Sequence, residues 1–178
     1  NIVDELMENI QFNLIKASVL LAKEKGKCEW FDRTKYASGI LPIDTYNKAV
    51  DKLVTRKSKL NWDKLRKDIK KYGMRNSTLT ALMPCESSSL VTNSTNGIEP
   101  PRGLLSIKKS KQGLIPQVVP EIYNLRNKYT LAFDMNGNVG YTNIVAVIQK
   151  YVDQAISANH YYNFSKYESG NLPMSEVA

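Results

Sequence analysis

Midway along the chain, Pro84-Cys85-Glu86-Ser87-Ser88-Ser89 sets a thiol, a carboxylate and three consecutive hydroxyls directly after the run Leu79-Thr80-Ala81-Leu82-Met83. The order of residue types reads as strand, turn and helix start. A helix start carries backbone N–H groups without an intrahelical partner, together with a partial positive charge, so a strand that delivers one to the edge of a core makes a cradle for a phosphate. The same residues also suit plain N-cap chemistry, in which a serine oxygen accepts from its own helix. Spacing alone leaves both readings open.

Other reactive side chains are sparse. Cys28 and Cys85 lie far apart and have no ligand-like spacing, so neither a disulfide framework nor a zinc site is indicated, no metal ligand is assigned, and a reducing, cytoplasmic setting is expected. His160, the single histidine, has no Ser or Cys partner in an evident triad. Net charge is +8 and the pI about 9.4, which raises a polyanion as partner. The densest basic run, Arg56 to Arg75, interleaves its lysines with Trp62, Leu65, Ile69 and Tyr72 at helical spacing. That pattern is the solvated face of a core-packed helix, and a basic nucleic-acid-binding module is the alternative.

The elements that must position the cradle follow from periodicity. Val3 to Lys25 forms a helix with Leu6, Met7, Ile10, Leu14, Ala17 and Leu21 on one inward stripe, widened by Ile15, Leu20 and Ala22, and ended by Gly26. Asp44 reads as the N-cap of a second helix with Val50, Leu53 and Val54 inward. Asn61 caps a third, which Gly73 ends. Ser77–Met83 is a short strand running into the cradle. Leu104–Lys109 and Leu114–Val119 flank Ser110-Lys111-Gln112-Gly113 as a hairpin with an edge-like second arm, because Pro116 cannot donate to a ladder. Pro120 opens a helix through Tyr123, Leu125 and Leu131, and Asn136-Gly137-Asn138 separates it from another over Thr142 to Ile156. A strand at Ile156–Tyr161 and a helix start at Pro173 complete the order. Strands alternating with helices make the class α/β.

At 178 residues, 42% hydrophobic and 24% charged, the chain can bury a core, and no apolar run approaches the roughly 20 residues of a membrane helix, so a soluble protein is expected. It begins at Asn1 without a signal-peptide pattern and is read as a fragment. No repeat or linker interrupts it. Residues 1–178 are therefore expected as one continuous part of a domain, mainly helical over 1–76 and mixed over 77–178.

Several motifs together resemble the large, catalytic subunit of class I ribonucleoside-diphosphate reductase, of the bacterial and bacteriophage type. They are Arg75-Asn76-Ser77-Thr78-Leu79, Leu82-Met83-Pro84, Glu86-x-Ser88-Ser89, Thr95-Asn96-Gly97-Ile98-Glu99-Pro100-Pro101-Arg102-Gly103 and Ser157-Ala158-Asn159, supported by Gly39-Ile40-Leu41-Pro42-Ile43-Asp44-Thr45-Tyr46 and Gln117-Val118-Val119-Pro120. The resemblance covers nearly the whole chain. It implies the C-terminal part of a ten-stranded α/β barrel with a helical first third, shared with other radical enzymes. It further implies that Pro84, Cys85, Glu86, Ser87 and Ser88 bind the substrate diphosphate. Family members usually carry Ser or Thr at the place of Cys85, so one hydroxyl is exchanged for a weaker thiol while the backbone donor stays.

The resemblance assigns no catalytic residue here. The radical cysteine, the redox cysteine pair and the radical-relay tyrosines all match segments outside these residues, and Tyr161-Tyr162 is read as structural. By the same resemblance the whole enzyme makes deoxyribonucleoside diphosphates by thiyl-radical chemistry. It draws on a metal and tyrosyl radical in a small subunit, on thioredoxin or glutaredoxin as reductant, and on ATP and deoxynucleotide effectors. No cofactor is assigned to this chain. Implied partners are a ribonucleoside diphosphate, the remainder of the large subunit in a homodimer and the small subunit. Neither a membrane nor nucleic acid is expected, and the setting is the cytoplasm of a bacterium or phage-infected host.

Overall fold

Ile2–Lys25 is one helix, α1, closed at Gly26, whose φ of 80° and backbone bond to Ala22 O stop it where the sequence places the stop. The computed structural model describes residues 1–110, 113–135 and 139–162. The chain divides into two compact units, residues 1–81 with 146–156, and residues 82–145 with 157–178.

The first unit is helical. After α1 come a 3-10 turn at Phe31–Arg33, the short helix α2 at Pro42–Thr45, a 3-10 helix at Lys48–Lys52 and α3 at Trp62–Tyr72. Its core joins Ile15 and Val19 of α1 with Phe31, Tyr36, Leu41 and Met74, and with Trp62, Leu65 and Ile69 of α3. The capping of α3 is as expected, since Asn61 Oδ1 accepts from Lys64 N at 2.9 Å and Gly73 ends the helix at φ 72°. Asp44 sits one turn further in than expected. Rather than capping a long second helix, it lies at the third position of α2 and accepts from Leu41 N at 2.8 Å, and Leu53 is exposed.

The facing of α1 keeps Ile15 and Ala22 of the expected face inward but overturns its leucine stripe. Leu6, Ile10, Leu14 and Leu21 are exposed, at 57%, 40%, 37% and 40%, while Asp4, Glu8, Gln11, Ile15, Ser18, Val19 and Ala22 turn inward. Specific partners account for this rotation. Asp4 takes Tyr151 Oη at 2.7 Å and pairs with Arg56 Nε at 2.6 Å; Glu8 takes Trp62 Nε1 at 2.9 Å and pairs with the same guanidinium. A buried charge without such partners would cost several kcal/mol (about 3–5 when one member of a pair is removed), more than leaving leucines half-covered.

In the second unit, α4 (Glu86–Val91) is followed by β1 (Leu105–Ser110) and β2 (Gly113–Val118). The strands pair antiparallel from Leu105↔Val118 to Ser110↔Gly113, which realises the expected hairpin. Helix α5 covers only Ile122–Leu125, followed by 3-10 turns at Arg126–Lys128 and Ala132–Asp134. The long helix expected from Pro120 is absent because the segment closes on itself, Tyr129 Oη donating to Pro120 O at 2.7 Å. Helix α6 spans Val139–Gln149, its last four residues belonging to the first unit. It stops short of the expected Ile156, where Gln149 takes over: its Nε2 donates to Gln154 O at 2.9 Å and its Oε1 accepts from Ile156 N at 3.0 Å.

Among the described residues the hairpin is the only sheet, of two strands. Ser77–Met83 and Ile156–Tyr161, both expected as strands, run without ladder partners. The first run accepts two isolated backbone bonds, from Gln154 N to Thr80 O at 3.2 Å in the first unit and from Ser157 N, at the start of the second run, to Leu82 O at 3.0 Å in the second unit. Two isolated bonds do not make a ladder. The Asn136-Gly137-Asn138 turn and the helix start at Pro173 lie outside the described residues.

Candidate functional site

The turn at Pro84 does lead into a helix start. Cys85 occupies the N-cap position of α4 with φ −111° and ψ 54°, and Ser89 N donates to Cys85 O at 2.9 Å, the first bond of the helix. No side chain caps it. The Cys85 thiol turns back to donate to Met83 O at 3.3 Å, so it cannot accept from the first turn. Ser87 and Ser88 are exposed, Cys85 is half-buried, and Ser88 Oγ makes only a 3.5 Å approach to Cys85 O. Pro84 is exposed as well, and the side chain of Glu86 lies outside the described part of the chain. The first turn of α4 is therefore left without a side-chain cap, with two exposed serines in it, an arrangement that suits oxygen acceptors bearing negative charge.

The backbone around this turn is held from two sides within the second unit. Gly97, at φ 70°, brings its loop so close that a Cβ there would stand 3.0 Å from Met83 O. Only glycine accepts both that backbone angle and that approach. At the far end of α4, Gln117 Nε2 donates to Ser89 O at 3.3 Å and to Ser94 O at 2.8 Å, tying β2 to the helix and its exit. Gly97 and Gln117 stand within the resembling motifs, yet residue types alone give no sign that one crowds Met83 and the other clamps Ser89.

A second arrangement was not legible in advance. In the first unit, Asp153 Oδ2 accepts from Leu79 N at 2.9 Å and Thr80 N at 3.0 Å, Asp153 Oδ1 accepts from Tyr36 Oη, and Thr80 Oγ1 donates to Gln11 Oε1 at 3.1 Å. The carboxylate thus substitutes for a missing strand neighbour along Leu79-Thr80. Burial first, and then the bond to Asp153, push the Tyr36 phenol well above its ordinary range. The signal available in the sequence was only an acidic residue after an apolar stretch, Tyr151-Val152-Asp153, which is common.

The remaining candidates fall into structural places. His160 is exposed and lies edge-on to Tyr141; Tyr161 donates to Glu99 Oε2 at 2.5 Å, and burial followed by that bond raises its pKa to about 12. Cys28 is half-buried with its N–H on Met74 O. Among the described residues no cluster of three or more His, Cys, Asp or Glu could hold a metal, and no helix is long and apolar enough to cross a membrane. Trp62, Leu65 and Ile69 of the basic run are buried, so α3 offers no row of exposed aromatics on which bases could stack, and the nucleic-acid alternative is not supported.

Comparisons with known proteins give one answer. The family described as "Ribonucleotide reductase, barrel domain" matches residues 1–178. The chain is 56% identical to the ribonucleoside-diphosphate reductase subunit alpha of Haemophilus influenzae over 167 residues, covering 94% of this chain and 22% of that protein. It is 51% identical over 177 residues to the ribonucleoside-diphosphate reductase 1 subunit alpha of Escherichia coli, and 50% identical over 177 residues to the subunit alpha of Enterobacteria phage T4. Those two matches cover 99% and 98% of this chain, and 23% and 24% of the relatives. The chain therefore spans about a quarter of the length of the curated relatives it matches.

Proposed function

Because the chain belongs to the ribonucleotide reductase barrel-domain family, we propose that it is one continuous part of the catalytic barrel of a ribonucleoside-diphosphate reductase large subunit, and that its task there is to hold the substrate diphosphate. In that setting the extended runs Ser77–Met83 and Ile156–Tyr161 are strands of a ten-stranded α/β barrel. The whole protein reduces ribonucleoside diphosphates to deoxyribonucleoside diphosphates in the cytoplasm. It works with a small radical-generating subunit, a thioredoxin or glutaredoxin reductant and nucleotide effectors, and this chain alone is inactive.

What supports the assignment of the task is the uncapped first turn of α4, with Ser87 and Ser88 exposed beside it. Pro84, Cys85, Glu86, Ser87 and Ser88 form the cradle, the backbone supplying the main donors and the serines adding hydroxyls. Anchoring a diphosphate remote from the reacting ribose supplies orientation, which a hydrogen abstraction at one carbon requires.

The test is made in the complete subunit. A hydrogen bond to a charged group contributes about 1.5–3 kcal/mol, so Ser88→Ala should raise the KM for a ribonucleoside diphosphate by roughly ten- to a hundredfold. Binding of the corresponding nucleoside should not change. Cys85→Ser should be neutral or mildly favourable, since it restores a hydroxyl without moving the backbone donors. Equal loss for diphosphate and nucleoside would mean that the hydroxyl shapes the turn and holds no phosphate.

A further inference from the structure

The second unit contains an open cavity of about 290 Å³ bounded entirely by its own residues. That is the lower end of the size range for small-molecule sites. None of Pro84 to Ser88 lines it, so it stands or falls apart from diphosphate binding at α4. Its apolar lining includes Pro100, Pro101 and Val119, with Ile107, Val118 and Pro120.

Among the described residues two polar groups in the lining lack a hydrogen-bond partner. Asn96 Oδ1 is buried and unpaired, and a buried carbonyl oxygen without a donor is a cost that a bound molecule could remove. Arg102 makes no hydrogen bond or ion pair among the described residues. The acidic group of the cavity does not serve it: Glu99 is buried, and its two oxygens are taken by Asn159 and Tyr161. A guanidinium calls for an anion, and a carboxylate fits its fork with two parallel bonds. A singly charged carboxylate also meets less repulsion from Glu99 than a doubly charged phosphate ester would.

We propose that this cavity binds a small carboxylic acid carrying a hydrogen-bond donor, with the carboxylate on Arg102, the donor on Asn96 and the carbon body against the prolines. Mandelate is a suitable probe. Phenylacetate lacks its hydroxyl donor, and mandelamide lacks its charge. Titrated into the ¹⁵N-labelled full chain, mandelate should shift the backbone amides of Asn96 and Arg102 saturably in the millimolar range, and each analogue should bind about tenfold more weakly. Arg102→Met should erase the preference over mandelamide, and Asn96→Leu the preference over phenylacetate. Arg102 is exposed, so its variant keeps the fold and decides the matter even if Asn96→Leu does not fold. Absence of a saturable shift, or unchanged mandelate binding by Arg102→Met, would overturn the proposal.

Discussion

At the start of α3 the Asn61 amide accepts from Lys64 N, and at the start of α2 the Asp44 carboxylate accepts from Leu41 N, whereas Cys85 at the start of α4 caps nothing and turns its thiol away. The two closed starts lie in the first unit and carry out a structural task. At each of them a side chain takes up one backbone donor. The open start lies in the second unit and keeps its donors, with exposed serines beside them. Since a side-chain cap contributes about 0.5–2 kcal/mol, leaving one out costs stability that must be offset elsewhere, here by Gly97 packing on Met83 and Gln117 holding Ser89. An uncapped start held in place by neighbours is what an anion site needs and what a purely structural helix does not.

The strongest way to break this comparison is to put a negative charge where the diphosphate is proposed to bind. Ser88→Asp in the complete subunit should raise the diphosphate KM by more than about a hundredfold, beyond Ser88→Ala, through like-charge repulsion added to the lost hydroxyl. If the two variants behaved alike in steady-state kinetics, no phosphate would lie near that position.

A smaller effect separates the closed and open starts by stability. Asn61→Ala should lower the unfolding free energy of the chain by about 1 kcal/mol, while Cys85→Ala should change it by no more than about 0.5. Urea denaturation reads both. Equal losses would mean that the Cys85 side chain supports the turn after all.

The smallest effect concerns pH at the start of α2. The Arg66 guanidinium hydrogen-bonded to Asp44, 2.6 Å away, holds this carboxyl below the ordinary range, aided by the Leu41 N–H and opposed by burial. A carboxyl with a lowered pKa contributes stability that is full above its unfolded value and is lost as pH falls through the folded one. Asp44→Asn should therefore be less stable than the parent at neutral pH and lose less further stability below about pH 4. The pair is partly exposed and screened, so the difference should be modest and shrink with salt. Parallel acid curves for parent and variant would remove Asp44 from the account of how α2 is closed.

Local chemistry determined much of this protein from the sequence alone. Gly26 and Gly73 ended their helices, Asn61 capped α3, Trp62, Leu65 and Ile69 turned inward, the hairpin paired in its expected place, and a helix began after Pro84, because caps, turns and short-range periodicity act within a few residues. Tertiary structure decided what depends on partners far along the chain. The rotation of α1 could not be read from its leucines, since Arg56, Trp62 and Tyr151 had to be brought to Asp4 and Glu8 before burying a polar face became favourable. The same holds for Leu79-Thr80, whose hydrogen bonds go to the side chain of Asp153 and not to a strand ladder, and for Gly97, whose neighbour is Met83. Nor could the sequence say whether the serines after Cys85 would cap their own helix or stay open. That outcome rests on the direction of one thiol and on a backbone held from outside the helix, and neither is encoded within the span of the turn.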